Sequence, residues 1–99
     1  MLLDVFFNDI YAKVKGVGTR TKQVYGHTFT QFDRYLERPA LVQDLTDVNV
    51  GGFLSWRRGQ TYRGKPVRST TVLKDRAHLL ALASLAFQKR QLDEALVLP

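Results

Sequence analysis

The chain has 99 residues, of which 44% are hydrophobic and 11% aromatic, so it can bury one core and form a single domain over residues 1–99. The absence of cysteine excludes disulfides, thiolate metal ligands and cysteine nucleophiles. Fifteen Lys and Arg against nine Asp and Glu give a formal net charge of +6, which indicates a polyanionic partner. No apolar run approaches the roughly 18–20 residues that cross a bilayer, and the acidic amino terminus is unlike a secretory signal, so we expect a cytoplasmic protein.

Two helices are predicted in the first part of the chain. The first covers roughly residues 2–14, and its apolar residues at helical spacing are Leu3, Phe6, Phe7, Ile10 and Val14. The second covers roughly residues 21–37, and its apolar stripe consists of Tyr25, Phe29, Phe32 and Leu36. Either Thr19 or Thr21 is expected to cap the second helix, and Pro39 is expected to end it.

Two more helices are predicted in the second part. Thr46 is expected to cap the third helix, whose apolar face consists of Val50, Phe53, Leu54 and Trp56. Gly51 and Gly52 each cost about 1 kcal/mol relative to alanine inside a helix, so either another helix packs closely there or the helix breaks. The fourth covers roughly residues 69–91 and is apolar on most sides, which is typical of a central helix.

The segment between the last two helices, residues 58–68, contains two glycines, a proline and several basic side chains. This composition indicates a loop or a short hairpin. Elsewhere no hairpin turn lies between two alternating apolar runs. The sequence therefore predicts an all-α fold, arranged as a compact four-helix orthogonal bundle.

Positive charge is concentrated ahead of the second and fourth helices. Between positions 57 and 76, seven basic side chains are opposed by one acid, so this segment accounts for the formal excess of six. A second cluster contains no acid and consists of Lys13, Lys15, Arg20 and Lys22. Basic groups oppose the dipole at a helix amino terminus unless an anion binds there too. A charge run is ordinarily a solvated surface, but two acid-free clusters beside Ser and Thr hydroxyls favour phosphate binding.

No set of residues with catalytic or metal-binding spacing is present. His27 and His78 are the only histidines, and neither belongs to a metal-ligand motif. The glycine pairs lack the lysine and spacing of a phosphate-binding loop. We therefore expect no enzyme activity, no metal and no cofactor. A membrane-surface module is also disfavoured, because no basic amphipathic helix exposes an aromatic face.

Three motifs occur along the chain in the order and spacing of a known family. They are Thr21-Lys-Gln-Val-Tyr25 with Phe32 and Tyr35-Leu36, then Leu45-Thr46-Asp47-Val48 with Phe53-Leu54, and last Ser69-Thr70-Thr71 through Ala86-Phe87. Together they resemble the amino-terminal core-binding, SAM-like domain of tyrosine recombinases and phage integrases. The resemblance covers essentially the whole chain. The closing Leu-Val-Leu-Pro is similar to the point where that family continues into its catalytic domain.

The resemblance implies that this domain is a non-catalytic half of a clamp on duplex DNA at a recombination half-site, in a parent protein that integrates or recombines DNA. The implied DNA contacts lie at the second helix and around the start of the fourth, and are Lys15, Thr19, Arg20, Thr21, Lys22, Tyr25, Arg57, Arg58, Arg63, Lys65, Arg68, Ser69, Thr70, Thr71, Lys74 and His78. Thr71, Lys74 and His78 share a helix face that can meet base edges. The basic residues from Arg57 to Lys65 are expected to neutralise phosphates, whereas Tyr25 is better explained as a core residue.

The implied partners are double-stranded DNA and other recombinase protomers on that DNA, with the isolated domain monomeric or weakly associating. A nucleoid-associated protein of prokaryotic or phage origin fits this interpretation. The alternative is a small helical protein–protein interaction module without DNA specificity.

Overall fold

The computed structural model describes all of residues 1–99 and contains four helices and one short β-hairpin. Helix α1 consists of Leu3–Phe6, a π-helical turn over Phe7–Tyr11, and Ala12–Lys15. Helices α2, α3 and α4 cover Thr19–Leu36, Asp47–Arg58 and Ser69–Gln88. A 3₁₀ turn, Val42–Asp44, precedes α3, and strands β1 and β2 are Thr61–Tyr62 and Lys65–Pro66. The predicted helical fold is therefore confirmed, and its only strands form a short hairpin between the last two helices.

All four helices contribute to one hydrophobic core. Phe6 of α1, Phe32 of α2, Phe53 of α3, and Leu79 and Leu82 of α4 are completely buried. The rings of Phe32 and Phe53 lie 5.2 Å apart between centroids, which is the usual distance for aromatic packing. No buried side-chain nitrogen or oxygen lacks a hydrogen-bond partner. The interior is thus close-packed and its polar groups are satisfied.

The π-helical turn changes which residues of α1 face the core. Leu3, Phe6 and Phe7 are buried as predicted. At the end of the π turn, Tyr11 and the following Ala12 are buried, whereas Ile10 lies at the margin and Val14 is 52% exposed. A π turn contains about one residue more than an α turn, so the inward face shifts by one position. The prediction of Val14 as a core residue is therefore wrong.

The start of α2 has a glycine cap. Gly18 occupies the N-cap position and no side chain caps the helix, so the expectation that Thr19 or Thr21 would do so is wrong. The helix ends at Leu36, and Glu37 follows with a left-handed φ of 60°. Helices ordinarily end before the residue that precedes a proline, so an end ahead of Pro39 is as predicted.

A charged clamp fixes the connection between α2 and α3. Arg38 donates from Nη1 to Oδ2 of Asp44 at 2.7 Å and from Nη2 to Oδ1 at 2.5 Å. The amide of Leu41 also donates to Asp44 Oδ2, at 2.7 Å. The Arg38 guanidinium and this amide hold the pKa of the Asp44 carboxyl below its usual range. The amide of Leu3 bonds the carbonyl of Ala40, so the amino terminus is tied to the same connection.

Helix α3 begins as predicted and is continuous through its two glycines. Thr46 is the N-cap, and its hydroxyl accepts a hydrogen bond from the amide of Asn49 at 3.2 Å. A Cβ added at Gly52 would overlap the hydroxyl of Tyr35 on α2, whereas a Cβ added at Gly51 would meet no atom within 4 Å. Of the two predicted alternatives, close helix packing is correct and the local break is not.

The hairpin between α3 and α4 confirms one of the two expectations for this segment. Thr61 pairs with Pro66 and Tyr62 with Lys65 in antiparallel register. The turn residues Arg63 and Gly64 have φ values of 52° and 77°, which is the pattern of a type I′ turn. Because arginine is not among the residues that favour the first position of this turn, the sequence signal for a hairpin was weak.

Helix α4 is the central helix, but one side of it is open to solvent. Its buried residues are Val72, Asp75, Leu79, Leu82, Ala83, Leu85 and Ala86. Leu73 and Phe87 are 60% and 45% exposed, so these two members of the predicted apolar surface lie outside the core. After the helix, Leu92, Leu96 and Leu98 pack partly against the core. No helix of the chain combines the length and the hydropathy needed to cross a membrane.

The two glycines of α3 give a matched test of this packing. Gly51→Ala is expected to raise the free energy of unfolding by about 1 kcal/mol, because alanine is the better helix former. Gly52→Ala gains the same helix propensity, but its methyl group overlaps the Tyr35 hydroxyl. This variant should therefore have a clearly lower free energy of unfolding than Gly51→Ala. Urea denaturation of both variants, with and without Tyr35→Phe, measures the effect. Equal stabilities of the two single variants would contradict the described packing.

Candidate nucleic-acid interface

An open groove of about 840 Å³ lies between α2, the end of α3, the hairpin and the start of α4. Five basic side chains line it, and they are Arg34, Arg57, Arg63, Lys65 and Arg68. Hydroxyl groups of Thr30, Thr61, Tyr62 and Thr71 lie among them, and no Asp or Glu lines the groove. A concave surface of one charge sign focuses the field and attracts a polyanion. We name this surface the basic groove.

The start of α4 adds amide donors to one edge of the basic groove. Arg68 occupies the N-cap position and no side chain caps the helix. The amide of Thr71 donates to the carbonyl of Arg68, whereas the preceding amides of Ser69 and Thr70 have no backbone partner and can bind an anion. Arg68 and Thr71, which flank this first turn, both line the groove. A phosphate bound at this edge of the groove can therefore accept hydrogen bonds from amide, hydroxyl and guanidinium donors.

A buried polar network connects the basic groove to the core. Arg57 donates from Nε to Oδ2 of Asp75 at 3.0 Å, and Thr28 donates from its hydroxyl to Oδ1 of Asp75 at 2.7 Å. The same hydroxyl lies 2.8 Å from Nδ1 of His78. Because the single hydroxyl proton of Thr28 is given to Asp75, the hydrogen-bond pattern assigns the proton of this contact to His78 Nδ1. The network thus joins α2, α3 and α4.

Five of the predicted site residues meet in the basic groove, and they are Arg57, Arg63, Lys65, Arg68 and Thr71. Ser69, Thr70 and Lys74 are exposed on the first turns of α4 beside it, without lining it. Arg58 is exposed at the end of α3 and also lies outside the lining. The prediction for the hairpin and the start of α4 therefore identified residues that the fold brings together.

The predicted cluster ahead of α2 is divided by the fold. Lys22 lies in a different surface depression, with Asp4 and Asp33 among its neighbours. Arg20 precedes His27 by seven residues, so it shares a helix stripe with this groove residue. The remaining predicted contacts do not line the groove: Lys15 is exposed at the end of α1, and Thr19 and Thr21 are exposed at the start of α2. The two basic clusters therefore do not form one continuous groove.

Tyr25 belongs to the core, and the half-buried His78 packs against it outside the groove lining. Tyr25 is 8% exposed, its ring stacks on His78 with 4.0 Å between centroids, and its hydroxyl lies 3.1 Å from that of Tyr11. Burial and the Tyr11 hydroxyl raise the pKa of Tyr25. Burial also lowers the pKa of His78, with Lys74 acting in the same direction and Asp75 opposing it. Tyr25 is therefore a core residue rather than an exposed DNA contact, and neither side chain lines the groove.

Four groove residues on α2 were missed in the sequence, and they are His27, Thr30, Gln31 and Arg34. The sequence prediction had considered only the apolar stripe of this helix. A signal was present, since Arg20, His27 and Arg34 recur every seven residues and therefore lie along one polar side. That side becomes part of a groove only because the hairpin and α4 pack opposite it.

No family model, no curated protein and no solved structure matches this chain. The resemblance to tyrosine recombinases therefore rests on the three sequence motifs alone.

The buried state of His78 predicts a pH dependence of stability. Its pKa is lower in the folded protein than the value of about 6.5 expected in the unfolded chain. Between these two pKa values, the unfolded chain binds more protons than the folded protein. The free energy of unfolding should therefore decrease as the pH falls from 7 to below 6. The Asp44 carboxylate contributes stability above its unfolded pKa that is lost at still lower pH, in a separate range.

Urea denaturation between pH 7 and pH 5 measures this effect, and the two histidines provide the control. His78→Gln should flatten the pH dependence, whereas His27→Gln at the exposed position should leave its slope unchanged. The account of His78 fails if the His78→Gln variant keeps the wild-type slope.

Proposed function

We propose that this chain is a DNA-binding domain that holds duplex DNA in its basic groove. The observation that carries the proposal is the grouping of five basic side chains with hydroxyl groups and no lining acid. Protein contacts to the DNA backbone are made mainly by such donors, and the counterions that they release drive the binding. The proposed function is binding, with no catalytic step in this chain.

The three sequence motifs extend the proposal to a family. We propose that the chain is the core-binding, SAM-like domain of a tyrosine recombinase or integrase, covering one side of a recombination half-site. On this proposal the partners are duplex DNA and neighbouring recombinase protomers, in a nucleoid-associated protein of the cytoplasm. The support is the motif order in the sequence together with a four-helix domain of matching size.

An exposed apolar stripe supports a second candidate function. Leu73, Leu80 and Phe87 recur every seven residues on α4, and Leu73 and Phe87 are largely exposed. Such a stripe is typical of a helix that contacts another protein. Gel filtration with and without a DNA duplex separates the candidates. Association that Leu73→Ser abolishes, with no DNA binding, would favour a protein-interaction module.

The salt dependence of DNA binding tests the proposed groove. Four of its cations, Arg34, Arg63, Lys65 and Arg68, have no acidic partner, while Asp75 offsets the charge of Arg57. If about four phosphates are neutralised, the slope of log K against log salt is about −3.6, and affinity falls about 150-fold between 50 and 200 mM. Fluorescence anisotropy with a labelled duplex, at several salt concentrations, measures this slope.

Two alanine variants provide the matched comparison. Arg68→Ala should reduce the magnitude of the slope by about 0.9, because one phosphate contact is lost. Lys22→Ala removes the same charge from the other depression and should leave binding close to wild type. Equal losses in the two variants, or a flat salt response of the wild type, would contradict binding in the groove.

A further inference from the structure

Arg57 differs from the other basic groups of the groove because a buried acid holds its side chain. Its Nε donates to Asp75, and its side chain is only 15% exposed. Neither Nη group donates a hydrogen bond to another residue. Because every buried side-chain nitrogen has a hydrogen-bond partner, the two Nη groups without one must be accessible to solvent. Arg57 lines the basic groove, so a ligand bound there lies next to this side chain.

Asp75 is itself fixed from both sides. Thr28 donates to its Oδ1 at 2.7 Å, and His78 in turn contacts Thr28 and stacks on the ring of Tyr25. The Arg57 guanidinium is therefore held in one orientation before any ligand binds. An arginine that is ordered in advance loses less side-chain entropy on binding, and its planar fork gains directional selectivity.

The charge balance at Arg57 favours a base edge over a phosphate. Asp75 offsets the charge of Arg57, and a phosphate that approached the two Nη groups would also meet the field of this carboxylate. A base edge carries only partial charges, so this repulsion is much weaker. Among base edges, the major-groove edge of guanine offers two adjacent acceptors, O6 and N7, that match a two-donor arginine fork.

We infer that Arg57 is a specificity-determining residue that recognises a guanine in the major groove of the bound duplex, and that Asp75 is its positioning residue. This inference rests on the proposed DNA binding. It also reassigns Arg57, which the sequence had indicated as a phosphate contact, and it replaces His78 as a reader of base edges. The four cations without an acidic partner then bind the phosphates on either side.

Selection of binding duplexes from a randomised library tests the inference on the unmodified protein. One position should be enriched in G·C, and its replacement by A·T should lower affinity about 5- to 150-fold. Replacement of that guanine by 7-deazaguanine removes N7 alone and should produce part of this loss. Enrichment of no guanine, or full affinity for the 7-deaza duplex, would overturn the inference.

Variants separate base recognition from phosphate binding. Arg57→Lys should abolish the preference for G·C while the salt slope stays that of the wild type, since lysine keeps the charge but not the fork. Arg58→Lys is the matched control at the neighbouring position, outside the groove lining, and should leave the preference intact. Asp75→Asn should also weaken the preference, while binding to unrelated duplexes persists.

The outcomes distinguish this inference from the proposed function. If Arg57→Ala weakened the binding of all duplexes equally and reduced the magnitude of the salt slope by about 0.9, Arg57 would be a phosphate contact. This result would overturn the inference but leave the proposed function standing. No salt-dependent binding of any duplex by the wild type would overturn the proposed function itself. Circular dichroism of each variant checks that it is folded, and the 7-deazaguanine duplex tests the inference without any variant.

Discussion

The buried carboxylate of Asp75 links three of the four helices. It lies on α4, accepts from Thr28 on α2, and pairs with Arg57 at the end of α3. A carboxylate in this position is tolerated only with hydrogen-bonding partners, so each of these contacts constrains how the helices meet. The same contacts determine the end of α3, and therefore where the hairpin starts and where the basic groove opens.

Burial of Asp75 also shapes the surface charge. It is the only acid between positions 57 and 76 and it is buried, so every exposed charged side chain of this segment is basic. The type I′ turn and the uncapped start of α4 then arrange these cations around one concavity, opposite the polar stripe of α2. The proposed binding of duplex DNA follows from this combination, since net charge alone does not localise a partner.

Local signals in the sequence predicted the features that depend on neighbouring residues. The apolar stripe through Phe29 and Phe32, the cap at Thr46 and the basic character of the hairpin all follow from short-range patterns. The π turn was not predictable, because no local pattern distinguished it from a regular helix whose face continues to Val14. The network of Asp75 was likewise hidden, because its partners are 18 and 47 positions away along the chain.

The central claim is that the basic groove is the surface that contacts duplex DNA. Titration of isotope-labelled protein with a short duplex, followed by amide chemical shifts, tests it most directly. The account predicts shift changes over residues 60–71 and along the stripe of His27 and Arg34, with none around Asp4 and Lys22. Changes confined to the side of Lys22, or no changes at any amide, would contradict it.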